Sequence, residues 1–383
     1  MRSATVERND PMRAAADATA PFAGADLIVP FNAQPADTMC HVETLQATSI
    51  AAWDAYVLAR AEGTLFHSTA WRAAVALTFG HRSWYLLARR NGRVVGVLPM
   101  FLVASRLGGR MLVSVPYGVG GGILADEEEA AAALFRAAVT VAQQESCRLI
   151  DLRSEEAVVG GVPVIDRYVG FSRELPPCAE DVPGWLPRKA RAAARNAQNK
   201  YRLTVDFDDR QLPEVWRLYT LSMRRLGSVS YPYEFFRRLV ACTPDRHWVS
   251  LARRQGRAVA GLVAFRFKDR VMPYFFGAAR EATACSAANL LYLSAMERGV
   301  AEGCRVFDFG RSRRDNLGSV NFKRFHGFQP RSLHYQRYVL GDEHPADLTP
   351  TAKRFRLARR VWPFLPLTVT QSLGARLAHH LPG

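Results

Sequence analysis

Three charged residues in the last third of the sequence have side chains suited to acid–base or anion-stabilising chemistry. Asp308 ends an apolar run, and its carboxylate could accept a proton or orient a substrate. Arg311 follows three residues later and could bind a phosphate or carboxylate through two parallel hydrogen bonds. Lys323 could stabilise negative charge that develops in a transition state. We take these three as the candidate catalytic residues.

An internal repeat indicates the elements that must position these residues. Residues 84–95 match residues 248–259 at a constant offset of 164, and residues 147–151 match residues 304–308 at an offset of 157. Two matches in the same order indicate duplication of one structural unit. Asp151 is the counterpart of Asp308, which favours a structural role for Asp308, such as capping a turn.

Each copy shows the same succession of helix and strand patterns. The Asn91-Gly92 and Gln255-Gly256 dipeptides lie between apolar runs and predict tight antiparallel hairpins. Apolar spacing predicts two helices before each hairpin and a strand, a helix and a final strand after it. The predicted segments are helices near 49–61, 69–79, 211–226 and 232–242, and in the second copy a hairpin over 248–268, a strand at 271–277, a helix at 285–302 and a strand at 305–309.

This order predicts an α/β fold with a mixed (α+β) sheet in each of two tandem domains. A stretch with Pro176, Pro177 and Pro183 places their boundary near residue 180, so the domains would span residues 41–180 and 181–342. Residues 1–40 are predicted to be a disordered leader. Residues 343–383 are predicted to be a basic amphipathic tail that docks on the protein or touches an anionic membrane.

Six motifs in order make the sequence resemble the FemAB family, close to the FemAB-related proteins of exosortase (PEP-CTERM) and exopolysaccharide loci. They are Phe66-His67-Ser68 with Trp71, Gly96-Val97-Leu98-Pro99, Ser114-Val115-Pro116-Tyr117, the basic run from Arg188 to Lys200, Phe307-Asp308-Phe309-Gly310-Arg311-Ser312 and Phe322-Lys323-Arg324-Phe325-His326-Gly327-Phe328. The resemblance covers about residues 45–340 and implies two tandem GNAT (acyl-CoA N-acyltransferase-like) domains.

The resemblance implies an acyltransferase that moves an aminoacyl or acyl group to an amine of a cell-envelope precursor, either peptidoglycan or exopolysaccharide. The implied donor is an aminoacyl-tRNA or an acyl-CoA, and no cofactor is expected to stay bound. Two alternatives stay open: an acyl-CoA-dependent GNAT acetyltransferase acting on an amino sugar, and a catalytically inactive pair of GNAT domains that serves as a scaffold. The glycine-rich acetyl-CoA loop is missing where the second copy reads Gly277-Ala278-Ala279-Arg280.

The resemblance also assigns roles at the candidate site. Lys323 follows Phe322 in the closing motif and would stabilise the oxyanion of the tetrahedral intermediate. The region of Arg224 and Arg225 corresponds to the part of the family that contacts the nucleotide-linked acceptor. The predicted substrate-binding residues are Phe322, Arg225, Arg224, Tyr231, Tyr117, Trp71 and Arg191, the last on a basic helix whose spacing suits successive phosphates.

The composition is typical of a globular protein with an anionic partner. Hydrophobic residues make up 49% and charged residues 22%, and the formal net charge is +16. The six cysteines are scattered and no histidine has metal-ligand spacing, so we predict neither disulfides nor a metal site. Without a signal peptide or a long apolar run, we expect a cytoplasmic protein. Contact of the basic tail with the inner membrane, and binding of charged tRNA, are further predictions.

Overall fold

The structure, a computed structural model, describes residues 40–105, 108–341 and 355–383. The leader predicted over residues 1–40 lies outside these ranges except for Cys40, as does the predicted tail before residue 355. The described residues form two mixed β-sheets with helices between and outside them, which confirms the predicted α/β class.

The first copy runs from residue 41 to residue 174. Its elements are β1 (His41–Thr44), α1 (Ile50–Ala59), α2 (Thr69–Phe79), β2 (Ser83–Arg90), β3 (Arg93–Ser105), β4 (Gly109–Ser114), β5 (Leu124–Ala125), α3 (Glu128–Gln144), β6 (Leu149–Leu152), β7 (Val164–Ile165) and β8 (Tyr168–Glu174).

The second copy follows and leads into the tail. Its elements are α4 (Val182–Trp185), α5 (Arg188–Asn199), β9 (Leu203–Phe207), α6 (Leu212–Arg225), α7 (Tyr233–Cys242), β10 (His247–Arg254), β11 (Arg257–Phe267), β12 (Arg270–Ala278), α8 (Ala287–Ala301), β13 (Val306–Arg313), α9 (Leu317–Phe325), β14 (Arg331–Ser332) and β15 (Tyr335–Val339). The tail forms α10 (Arg356–Val361) and α11 (Leu367–Ala378).

The sequence repeat is a structural repeat. In both copies two helices precede an antiparallel hairpin, and a third strand, a helix and a parallel fourth strand follow, in the predicted order. The register of the two hairpins shifts at equivalent places, after Ala88 in β2 and after Ala252 in β10. Asn91-Gly92 and Gln255-Gly256 all have positive φ, the conformation that a two-residue type I′ turn requires.

Each copy supplies a strand that completes the sheet of the other copy. β8 ends the first copy but pairs antiparallel with β13 in the second sheet. β15 ends the second copy but pairs antiparallel with β6 in the first sheet. The strand orders are β1-β2-β3-β4-β6-β15-β7, with β5 beside β3, and β9-β10-β11-β12-β13-β8-β14. The predicted boundary near residue 180 therefore divides the repeats of the chain but not the sheets.

Three hydrophobic clusters lie between these layers. The central cluster lies between the sheets and joins α1 and α2 of the first copy to α6 and α7 of the second, with Trp53, Trp71 and Phe235 fully buried. A second cluster lies beneath α5 and α8 on the outer face of the second sheet, and a third beneath α3 on the outer face of the first. Because the central cluster contains side chains of both copies, hydrophobic burial couples their folding.

The described part of the tail docks on the protein. Arg224 of α6 donates a hydrogen bond to the Leu365 carbonyl oxygen (3.2 Å), and the Tyr117 hydroxyl donates to the Ala378 carbonyl oxygen (2.9 Å). The tail thus contacts both copies. Among the helices described, none is both long and apolar enough to cross a membrane.

The variant Phe171→Ala tests the strand exchange. Phe171 lies in β8 of the first copy, yet it is 1% exposed within the core of the second. We expect its truncation to lower the free energy of unfolding by about 3–5 kcal/mol in urea denaturation, and to speed hydrogen exchange in β13. The matched control Phe364→Ala removes a side chain that is 88% exposed, and should change stability by less than about 0.5 kcal/mol. If the β13 amides of Phe171→Ala were as protected from hydrogen exchange as those of the parent, the proposed exchange of strands would be contradicted.

Candidate active site

Two cavities lie where the two copies and the tail come together. The first, the inter-copy cleft, has a volume of about 770 Å³ and is walled by the glycine-rich loop at residues 118–122, by β12 and by residues 308–311. The second, the tail cavity, has a volume of about 710 Å³ and lies between the first sheet, residues 227–231 and the docked tail. Arg153, Tyr231 and Arg311 line both cavities. We call their meeting point the junction.

A β-bulge in β13 shapes one wall of the junction. The register between β13 and β8 shifts between Asp308 and Arg311, and Gly310 between them has a φ of 65°. Asp308 supports the bulge by accepting a hydrogen bond from the Gly310 N–H (2.8 Å), and its other oxygen pairs with Arg270 at 3.2 Å. These contacts indicate the structural role for Asp308 that its repeat counterpart favours.

Lys323 lies buried behind this bulge, and its ammonium group donates hydrogen bonds to the backbone of the bulge. Nζ donates to the carbonyl oxygens of Phe309, Gly310 and Arg311 at 2.9, 3.1 and 3.0 Å. Burial lowers the pKa of Lys323 to about 7, and nearby Asp308 opposes that shift. Because a lysine ammonium has three hydrogens, none is left for a substrate oxyanion. The geometry does not support the predicted oxyanion contact; it indicates a residue that holds the bulge and thereby positions Arg311.

Arg311 carries a guanidinium that has no acidic partner among the described residues. The group lies 4.8 Å from the ring centre of Tyr168 and 5.7 Å from that of Tyr335, and it shares a hydrogen bond with the Tyr335 hydroxyl. Burial lowers the pKa of Arg311, but the Tyr335 and Tyr168 hydroxyls raise it by more, so the guanidinium stays charged. Arg311 is half-buried, and a cation withdrawn from water without a counterion favours an anion or a polarised carbonyl beside it.

Tyr231 presents a hydroxyl at the same junction. Its ring packs against Tyr117 and Phe235, with ring centres 5.3 and 5.6 Å apart. Burial raises the pKa of Tyr231, while Arg311 and Arg153 oppose the rise, so the hydroxyl stays protonated near neutral pH. Within the described ranges the hydroxyl has no hydrogen-bond partner, so its proton is available to a ligand.

Arg153 ties the glycine-rich loop to the tail. It is 2% exposed, and Nη1 donates to the carbonyl oxygens of Val115 and Gly118, both at 3.0 Å. Nη2 donates to the Pro382 carbonyl oxygen at 3.0 Å, and Nε pairs with Asp151 at 3.3 Å. The N–H groups of Arg153 therefore all have partners in the protein, unlike those of Arg311.

His67 holds the loop from the opposite side. Its buried ring contacts the Gly122 carbonyl oxygen through Nε2 (3.0 Å) and the Thr64 N–H through Nδ1 (3.1 Å). Burial lowers the pKa of His67 to about 4, so near neutral pH the ring is uncharged and Nε2–H donates to Gly122. A side chain at Gly122 would meet the Ser154 hydroxyl at 1.9 Å, so this position requires glycine.

Three other predicted substrate-binding residues are buried or half-buried. Tyr117 borders the inter-copy cleft, but it is 3% exposed and its hydroxyl donates a hydrogen bond to the Ala378 carbonyl oxygen of the tail. Trp71 lies in the central cluster, and Phe322 packs against His326 with ring centres 4.6 Å apart. Trp71 and Phe322 line neither cavity, and the geometry gives them a packing role.

The three arginines predicted to bind substrate also lie outside both cavities. Arg224 and Arg191 donate to carbonyl oxygens, of Leu365 at 3.2 Å and of Gly184 at 3.4 Å, and Arg225 donates to a neighbouring serine hydroxyl at 3.2 Å. Their contact with an acceptor stays a prediction that the geometry does not support.

The sequence patterns did not point to Arg153, Tyr274 and Tyr335. The hydroxyls of Tyr274 and Tyr335 donate to carbonyl oxygens at residues 117 and 119, so both fix the start of the glycine-rich loop. One signal was available for Arg153. It lies two residues beyond Asp151, as Arg311 lies three beyond Asp308, so each copy carries an arginine just after its repeated aspartate.

This arrangement can bind and polarise a carbonyl group. The Arg311 guanidinium and the Tyr231 hydroxyl are hydrogen-bond donors of residues that line both cavities, and the two cavities leave room for two substrates. The described residues contain no group of three or more His, Cys, Asp or Glu side chains that could hold a metal ion.

Comparison with known proteins matches this architecture. Residues 186–324 match a family model described as an acetyltransferase (GNAT) domain. No curated protein sequence matches the chain.

Solved structures of low sequence identity share the fold over most of the chain. FemX superposes with a TM-score of 0.61 at 14% identity, over 81% of this chain and 98% of FemX. A tandem GNAT protein from the clavulanic acid biosynthesis pathway gives 0.51 at 16% identity, over 80% and 100%. The C-terminal DUF2156 domain of a putative lysylphosphatidylglycerol synthetase from Agrobacterium fabrum gives 0.50 at 12% identity, over 77% and 93%. The chain therefore has a FemAB-like tandem GNAT fold, as the sequence resemblance implied.

Proposed function

We propose that the protein is an N-acyltransferase that forms an amide bond on an amine of a cell-envelope component. The GNAT family model over residues 186–324 and the FemX-like fold support the acyltransferase class. The Agrobacterium fabrum relative in fold is named for lysylphosphatidylglycerol, an aminoacylated membrane lipid, which supports an envelope acceptor. Peptidoglycan and exopolysaccharide precursors are the acceptors that this proposal includes.

The observation that carries the proposal is the unpaired guanidinium of Arg311 at the junction. Withdrawing a charge from water, even in part, is costly unless a partner compensates it, and no carboxylate among the described residues compensates half-buried Arg311. A substrate carbonyl that becomes an oxyanion would provide that compensation only as the reaction proceeds. Such a donor stabilises the transition state more than the ground state, which is what catalysis requires.

The reaction fits the two cavities. The amine nitrogen attacks the carbonyl carbon of the donor, and the C–N bond forms while the C–O or C–S bond to the carrier breaks. The carrier leaves with the proton that the amine gives up, as an alcohol or a thiol. Arg311 and Tyr231 hold the carbonyl oxygen during this step. Charged tRNA and acyl-CoA are the carriers that the proposal admits.

Product detection tests the proposed function. The full chain would be offered an aminoacyl-tRNA and an acyl-CoA in parallel, each with a muropeptide and an amino sugar as acceptors. We expect a new amide with one donor and one acceptor, identified by mass spectrometry. Absence of an amide from every combination, with folded protein, would favour the alternative of an inactive scaffold.

The variant Arg311→Met tests the donor at the junction. Methionine keeps the apolar stem and removes the charge, so we expect kcat to fall by about 100- to 1000-fold, with a smaller change in KM. The control Arg314→Met removes an exposed arginine whose partner is Asp166, and exposed ion pairs contribute little. Equal turnover of Arg311→Met and Arg314→Met would exclude Arg311 from the reaction.

The variant Lys323→Met separates a direct role of the lysine from a positioning role. Each buried carbonyl that loses its donor costs about 1–3 kcal/mol, so we expect stability and kcat to fall together. A lysine that contacted the oxyanion would lower kcat alone. Because Lys323 acts through Arg311 in our proposal, the double variant Lys323→Met/Arg311→Met should lose no more activity than Arg311→Met. If the activity losses of the two single variants multiplied in the double variant, Lys323 would act independently of Arg311.

A further inference from the structure

The tail cavity has an apolar floor formed by the first sheet. Met111 and Val113 of β4 and Leu149 of β6 lie on the same face of the sheet and form one buried cluster with Val103. The alternate residue Leu112 lies on the opposite face, in the cluster beneath α3. Both faces of the sheet are therefore apolar here, and an apolar face of this kind requires a cover.

The docked tail covers this floor without filling the space above it. Trp362 and Leu381 belong to the tail and line the cavity opposite the sheet. A volume of about 710 Å³ remains, which lies within the range of about 300–1,000 Å³ for small-molecule sites. The result is an apolar chamber between two layers of the same chain.

The charged residues around the chamber are almost all basic. Its charged lining residues are Asp151, Arg153, Arg311, Arg337, Arg359 and Arg376, counted among the described residues. The single acidic side chain among them, Asp151, already pairs with Arg153 at 3.3 Å and with Arg337 at 3.1 Å. An apolar chamber with excess positive charge favours an apolar ligand whose head is an anion or a polarised carbonyl.

From this combination we propose that the tail cavity binds the aliphatic chain of a long-chain acyl donor, with the acyl carbonyl at Arg311 and Tyr231. The acceptor amine then approaches through the inter-copy cleft, since the two cavities share those residues. This inference rests on the proposed acyl transfer and narrows its donor to a fatty acyl group. Apolar burial of the chain would hold the donor while leaving its carbonyl carbon at the junction.

Equilibrium binding to the full chain tests the chamber without any acyl transfer. Calorimetric titration would use butanoate, octanoate and dodecanoate below the micelle concentration, with no acceptor present. We expect affinity to rise by up to about fourfold for each added methylene, equivalent to about 0.8 kcal/mol. Dodecylamine has the same chain and a cationic head, so it should bind at least about tenfold more weakly because the arginines repel it. Equal affinity for the three carboxylates would overturn the inference.

Two variants locate the bound chain. Ser228 is half-buried on the chamber wall, and its N–H donates to the Met223 carbonyl oxygen (2.9 Å), a backbone bond that a substitution leaves in place. Ser228→Trp should fill the chamber and weaken dodecanoate binding by at least about tenfold. The control Leu77→Trp adds the same ring at an exposed position of α2 and should bind dodecanoate as the parent does. If Ser228→Trp does not fold, Ala358→Trp in α10 replaces it.

Wild-type affinity in a folded chamber variant would place the chain elsewhere and overturn the inference. Dodecanoyl-CoA distinguishes an activated donor from a free fatty acid: it should displace bound dodecanoate, and failure to do so would overturn the assignment to the donor. Acyl transfer from a short donor is measured separately. If the protein transferred a short acyl group but bound the three carboxylates with equal affinity, the fatty acyl inference would be wrong and the proposed function would stand.

Discussion

The exchange of one strand between the two copies is the constraint on which the rest of the structure depends. β8 of the first copy and β15 of the second satisfy backbone groups along β13 and β6 that would otherwise lie at a sheet edge. The same exchange brings Tyr168 and Tyr335, whose ring centres are 5.3 Å apart, together beside Arg311. The candidate site is therefore a product of both copies, and neither copy could form it alone.

Three basic side chains organise this junction, and the hydrogen-bond partners of each determine what it can bind. Arg153 and Lys323 are saturated by carbonyl oxygens of the glycine-rich loop and the bulge, so they hold backbone in place. Arg311 shares one tyrosine hydroxyl and has no carboxylate among the described residues. Because a half-buried charge without a counterion is costly, Arg311 is the one of these three cations that we propose to bind a substrate group. Lys323 lies behind the cavity wall, whereas Arg153 and Arg311 line both cavities, and of these two only Arg311 lacks a carboxylate partner among the described residues.

The amphipathic residues of the tail divide between the tail cavity and the exposed surface of the protein. Basic and apolar residues of the tail both line the tail cavity: Arg359 and Arg376, and Trp362 and Leu381. Both residue types of the amphipathic pattern therefore face the inside of the protein. Phe364 and Leu357 instead stay exposed on the outer side. Docking therefore leaves other residues of the segment exposed, and contact of the tail with a membrane stays a prediction.

The sequence by itself determined the local structure and the neighbourhood of the site. The helix predicted at 69–79 is observed at Thr69–Phe79, and both hairpin turns lie at the predicted dipeptides, because periodicity and turn chemistry depend on neighbours along the chain. The motif around Asp308 and Arg311 likewise located one wall of the junction. Only the tertiary structure decided that Lys323 faces three carbonyl oxygens and that β15 joins the first sheet. Hydrogen-bond partners of buried groups depend on packing between residues far apart in sequence, which no local pattern records.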